Sequence, residues 1–192
     1  TDWRTDPNAT SRGGLHDAPP EPRAHGPFIL CLDTSGSMRG APEQIAKAVA
    51  IAAVRAARAS GLHGDGSSLR LGDALISVCP WWDGPLGREA VAAQLAADAA
   101  ARPARWIWVY HWPPYGSPTC WTGKRHYGDR DVVDWIAHHQ PDLVLTGHVH
   151  EPPFKASGHW AERIDRCWVF NAGRQVGPVP THIEIDLNAG TA

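Results

Sequence analysis

No stretch of this 192-residue chain approaches the 18 or so apolar residues that a membrane-crossing helix requires, so no helical span is expected. Charge of one sign is lacking too. The formal net charge is -2, and no nucleic-acid partner is implied electrostatically. The four cysteines, Cys31, Cys79, Cys120 and Cys167, show no close pairing and no Cys-x-x-Cys. Three of them lie in or beside apolar runs, where cysteine behaves as a small hydrophobe. They read as reduced thiols in a cytoplasmic protein. The first residues are polar and lack the basic-then-apolar pattern of a secretory signal.

What is present is ordinary in bulk and uneven in detail. The length suits one domain with a tail, and the 43% hydrophobic content suits a packed core. Ten tryptophans are unusual, and most read as packing. Residues 1–26 are rich in Pro, Gly, Arg and Asp without an apolar period, and read as a disordered tail or linker. A strand is expected at 28–32 and a helix at 42–59, with a flexible connector over 61–68. Paired strands at 69–71 and 74–79 flank a Gly72-Asp73 hairpin turn. An aromatic loop follows at 80–85. Helices are expected at 88–101 and 130–139, and strands at 106–110, 142–146, 167–170 and 182–187. Between Pro113 and Gly128 the pattern predicts a long loop. Interleaved helices and strands predict an α/β fold, a layered sheet with flanking helices.

Histidines carry the chemistry. Gly147-His148-Val149-His150 follows the strand-like run Asp142-Leu143-Val144-Leu145-Thr146. Two histidines at i and i+2 past a strand end can turn into one cleft, with Gly147 giving the backbone room to bend. Upstream, Trp106-Ile107-Trp108-Val109-Tyr110 ends in His111-Trp112-Pro113-Pro114. His111, His148 and His150 thus fall at the C-terminal ends of two expected parallel strands, where open α/β sheets place ligands. Imidazole is the commonest protein metal ligand. Lys124 and Arg125, with His126, sit in the loop between, where basic groups could meet a phosphoryl oxygen. Asp129 and Asp131 read as charges at a helix N-terminus.

From about Ser67 to Leu187 the chain resembles the C-terminal half of a calcineurin-like metallophosphoesterase. His111 before its Pro-rich turn, Gly147-His148-Val149-His150, and Val169-Phe170-Asn171-Ala172-Gly173 carry the likeness. The resemblance implies His111, His148 and His150 as ligands of Mn, Fe or Zn. It implies a hydrolase that attacks a phosphate ester with a metal-activated water. The family's N-terminal motifs, Asp-x-His, Gly-Asp-x-x-Asp and Gly-Asn-His followed by an acid, are not intact here. At the nearest approach, Gly64-Asp65-Gly66-Ser67-Ser68, Ser68 stands where the second Asp would be. The phosphoesterase-like fold is therefore expected with its N-terminal half incomplete.

A second resemblance lies upstream. Phe28-Ile29-Leu30-Cys31-Leu32 runs into Asp33-Thr34-Ser35-Gly36-Ser37, which is similar to the first metal motif of a von Willebrand factor A domain. That likeness implies Mg held by Asp33, Ser35 and Ser37, and a protein partner docking there. The chain thus divides into a tail over 1–26, a von Willebrand factor A-like strand-loop-helix over 27–60, and a metallophosphoesterase-like region over 61–192. The function expected is phosphate-ester hydrolysis, with an Mg-dependent protein-binding module as the alternative. If both parts fold as one unit, Asp33 is expected beside His150.

Overall fold

Gly72 has φ of 61°, and Asp73 after it does not share that left-handed conformation. Glycine first in a two-residue turn with positive φ there alone is the type II′ arrangement, whose twist matches a hairpin. The turn closes β1 (Ser67–Leu71) on β2 (Ala74–Val78), with Leu71 opposite Ala74. The computed structural model describes residues 65–80, 87–101 and 103–174, with positions 44, 48, 181, 183 and 185. Those up to position 183 belong to one compact unit, Ile29–Ile183. Gln44 and Ala48 are helical. The strand expected at 28–32, the rest of the helix at 42–59 and the loop at 81–85 lie outside the described residues, as does most of 182–187.

The remaining elements are α1 (Arg88–Ala100), β3 (Arg105–Val109), α2 (Arg130–His139), β4 (Leu143–Thr146), β5 (Ala161–Ile164) and β6 (Cys167–Asn171). Among the described residues, six strands form one sheet in the order β1-β2-β3-β4-β6-β5. Strands β2, β3, β4 and β6 are parallel, while β1 and β5 join antiparallel at the two ends of that described order. This is a mixed α/β architecture with flanking helices.

From β2 to β3 to β4 the chain moves the same way across the sheet. Right-handed crossovers then set both helices on one face. Val91 and Leu95 of α1, and Val132 and Ile136 of α2, stand one turn apart on their helices. They pack with Leu75, Trp106, Trp108, Val144 and Val169 in one buried cluster. On the opposite face Ile76, Ile107 and Leu143 stand in cross-strand register, and they are buried too. Burial on both faces explains why β2, β3 and β4 read as nearly continuous apolar runs.

Several polar groups inside this core are paired, whereas the buried Trp108 ring N–H meets no acceptor among the described residues. The Trp106 ring N–H donates to Ser77 Oγ at 2.8 Å, and Ser77 donates to Asp98 Oδ2 at 2.5 Å. Ser68 Oγ reaches the same carboxylate oxygen at 2.6 Å. That chain of bonds fastens α1 to the edge hairpin. Helix α2 is held at both ends. Asp129 caps its start by accepting from Asp131 N, and Gln140, at φ of 52°, returns its N–H to Ile136 O before Pro141.

Two elements differ from the sequence reading. β1 begins within the expected connector, at Ser67. β5 is an addition to the expected strands; it has only four residues and one of them, Ala161, is buried. No described helix is long and apolar enough to cross a membrane.

Cys79, Cys120 and Cys167 are free and buried. Burial pushes the Cys79 thiol far up, aided by the Asp98 and Asp65 carboxylates. Burial, then the Asp142 carboxylate, pushes Cys167 up to about 12. Burial and donation to Asp129 raise the Tyr110 phenol likewise. All three keep their protons more tightly folded than unfolded. Their contribution is full below the unfolded pKa, 9.0 for a thiol, and declines as pH rises above it. The urea midpoint should therefore hold steady from about pH 7 to 8.5 and fall above roughly pH 9.5. A midpoint equal at about pH 8 and 10.5 would contradict this linkage.

Candidate functional site

β3 and β4 lie in parallel register, Val109 opposite Leu145. The ladder continues past both strand ends: Tyr110 N donates to Leu145 O at 2.9 Å, and Gly147 N donates to His111 O at 3.1 Å. These bonds fix where the two histidine segments leave the sheet. The rings then meet, with His111 Nε2 and His148 Nδ1 2.8 Å apart. One proton serves the contact, held by whichever nitrogen is the donor.

The backbone at His148 is unusual. Its φ is 60°, in the left-handed region, and Val149 N donates across it to Gly147 O at 2.6 Å. An i to i+2 bond around a positive-φ centre is a strained γ-turn. The sharp bend expected at Gly147 thus falls one residue later. Gly147 has an ordinary φ, and a Cβ there would meet open space. Strained non-glycine residues gather at functional sites because only a supporting structure holds them.

That support comes from below. Val149 is buried, and its carbonyl accepts from Asn171 Nδ2 at 2.9 Å. The same amide nitrogen reaches Thr119 O at 2.8 Å, and Asn171 Oδ1 accepts from Gly173 N at 2.9 Å. A fully buried amide thereby joins three loops. His150 is held through its carbonyl, which accepts from Arg174 N at 2.9 Å. Gly173, at φ of 61°, runs so close that a Cβ would stand 2.7 Å from that oxygen. Among the described residues, no three His, Cys, Asp or Glu side chains gather as metal ligands. The structure pairs His111 with His148. Asp33, Ser35 and Ser37 lie outside the described residues.

Aromatic rings surround the pair. Trp112 stacks on His148 with centroids 4.9 Å apart, and Tyr127 stands 5.6 Å from it. The Arg125 guanidinium lies over the Tyr127 ring at 5.0 Å, which brings that expected site residue toward the histidines. Lys124 is exposed at the tip of the same turn, where its N–H meets Thr122 Oγ1. The segment 113–129 is closed rather than loose. Asp129 N donates to Pro113 O and Tyr115 N to Asp129 O, both at 2.9 Å. Gly128 fits because a Cβ would meet Pro113 O at 2.5 Å.

Asp129 does more than the helix-end role read from sequence. It is 2% exposed. Its Oδ2 accepts from the Tyr110 hydroxyl at 2.6 Å, and Arg88 lies 3.4 Å from Oδ1. Arg88 also pairs with Asp131. Beside this network opens a cleft of about 470 Å³, with Trp112, Tyr115 and Tyr127 among its walls. Cys120 lies 3.5 Å from His126 Nδ1, and burial raises its thiol above the ordinary value.

No protein-family profile matches the chain. Over 39 residues it is 56% identical to the regulatory protein ViaA of Proteus mirabilis; that stretch is 20% of this chain and 8% of ViaA. The chain thus spans less than a tenth of that curated relative. TT1561 of Thermus thermophilus is similar in structure over 57% of this chain and 48% of its own, with 18% identity and a TM-score of 0.42. A second solved structure is similar over 69% of this chain and 53% of its own, with 20% identity and a TM-score of 0.49. None of these matches assigns the chain to a family.

Replacing Asn171 by Leu keeps the branched shape, adds bulk at a fully buried position and removes three hydrogen bonds, leaving buried carbonyls of Thr119 and Val149 unanswered. Each unmet group costs on the order of 1 kcal/mol or more, so a loss of about 3 kcal/mol is expected. Equilibrium urea unfolding measures it. Imidazole NMR signals of His111 and His148 should broaden in the same variant.

Proposed function

We propose that the ends of β3 and β4 form a metal-dependent phosphate-ester hydrolase site related to the calcineurin-like metallophosphoesterases. The observation that carries this reading is the 2.8 Å approach of His111 Nε2 and His148 Nδ1 at the C-terminal ends of adjacent parallel strands. The strained φ of His148 supports it.

The donor set suits a metal in part. Two imidazoles on one tetrahedral ion stand about 3.3 Å apart, given metal–nitrogen bonds of about 2.0–2.1 Å. The pair would open by roughly half an ångström to admit one. Imidazole suits Mn, Fe or Zn. A two-metal centre needs a bridging carboxylate as well. None joins the pair among the described residues. On this reading Asp33 supplies the acid and His150 is the third histidine.

A bound cation would supply an acidified water and polarise a phosphoryl oxygen. The chain's own groups do the rest. His111 and His148 orient each other. Trp112 packs on His148 and shields it from water. Arg125, held over Tyr127, and Lys124 would meet the phosphoryl oxygens.

Isothermal titration with Mn²⁺ or Zn²⁺ tests the reading. His148→Ala should weaken binding at least tenfold, and His111→Ala similarly. Hydrolysis of an aryl phosphodiester with Mn²⁺ should be slow and depend on His148. Metal affinity equal in wild type and the double variant would overturn the proposal.

A different observation favours a second reading. The 56% identity to a regulatory protein over 39 residues supports a protein partner. We propose Mg²⁺ at Asp33, Ser35 and Ser37 as its docking point. Mg²⁺ titration should then respond to Asp33→Ala and ignore His148→Ala. The reverse pattern would refute that reading.

A further inference from the structure

We propose that the cleft beside the histidines takes the flat heterocyclic base of a nucleoside phosphate whose phosphoryl group lies at the His111–His148 pair. This rests on the phosphoesterase reading above and names its substrate class.

The first argument is the rings. Trp112 and Tyr127 lie 5.2 Å apart, and both also face His148. The cleft wall and the histidine pair are therefore one continuous surface. Tyr115 and Tyr127 are 40% and 39% exposed beside the cleft, each with a guanidinium over its ring, Arg130 on Tyr115 and Arg125 on Tyr127. Every nucleobase has a π-face, and aromatic side chains are the usual platform for it.

Charge narrows the occupant. Arg88 and Arg130 line the cleft, and so do Asp129 and Asp131. Two cations against two anions leave little net field, which favours neither an anion nor a cation in the cleft itself. Asp129 already caps the helix and holds Tyr110, so the helix N-terminus is answered from within. What remains is a neutral group with polar edges. Asp131 can accept from such edges, and Arg130, whose guanidinium lies 3.9 Å from the Tyr115 ring centre, can donate to them. A volume of about 470 Å³ suits a ligand of nucleoside size.

Isothermal titration of the full chain with Mn²⁺ present would compare adenosine 5′-monophosphate and cytidine 5′-monophosphate with ribose 5-phosphate. At least one nucleotide should bind tenfold or more tightly than the sugar phosphate. Tyr115→Ala should remove most of that advantage, a loss of about tenfold for one stacked base. Tyr115→Phe should keep it, and ribose 5-phosphate should bind both variants alike. Equal binding of nucleotides and sugar phosphate, or an equal loss of both in Tyr115→Ala, would overturn the proposal. So would no binding by any probe.

Adenosine and cytidine separate the two readings. Nucleoside binding weakened by Tyr115→Ala supports the base cleft even if His148→Ala changes no probe, a result that sinks the phosphoesterase reading alone. Sugar-phosphate binding lost in His148→Ala with no benefit from a base sinks the cleft alone.

Discussion

The parallel register between β3 and β4 is the constraint on which the site depends. Val109 opposite Leu145 sets Trp106, Trp108 and Tyr110 toward the helices, and the continuing ladder sets His111 beside Gly147. A slip by one residue would exchange the two faces of a strand. It would turn the Trp108 ring out of its cluster and carry His111 away from His148. Size opposes that slip, because Ile107 would stand where the Trp106 and Trp108 rings now fill the helix-side cluster. The same burial that stabilises the sheet therefore aligns the two imidazoles.

Two buried polar residues carry this order outward from the strands. Asn171, at the end of β6, ties the loops bearing Thr119, Val149 and Gly173. Asp129, before α2, ties Tyr110 at the end of β3 to the helix start and to Arg88. Each joins one bond to a residue two positions along with bonds to partners distant in sequence. Loops held this way can present side chains with the precision of a rigid element. Trp112 and Tyr127 gain fixed positions against His148 as a result.

Much of this is legible in the sequence, and the parts that are not share a cause. Helices α1 and α2 and strands β2, β3 and β4 follow from apolar runs and their punctuation, as does the hairpin from Gly72-Asp73. The closeness of His111 and His148 follows from strand ends in one sheet. Segment 113–129 reads as a long loop because its closure rests on distant backbone bonds, such as Asp129 N to Pro113 O, which leave no periodic trace. β5 escapes notice because Ala161-Glu162-Arg163-Ile164 is short and mostly exposed. Asp129 shows its helix-capping role but not its burial, which only tertiary packing reveals. Gly147 stands out as the flexible residue, while the left-handed conformation belongs to its neighbour.

That last detail has a consequence for how the position varies. A β-carbon in the left-handed region costs on the order of 1 kcal/mol relative to glycine. Backbone comfort alone would place Gly or Asn at 148, yet the chain has an imidazole there. Selection for thermal tolerance without regard to chemistry would drift this residue toward glycine, a route open to a protein that had lost its function. Histidine at 148 thus holds a backbone conformation that glycine would hold at lower cost, and what the chain gains there is the imidazole contact with His111. A chain with Gly-Gly-x-His in this turn would bend with less strain and would lose the ring that meets His111.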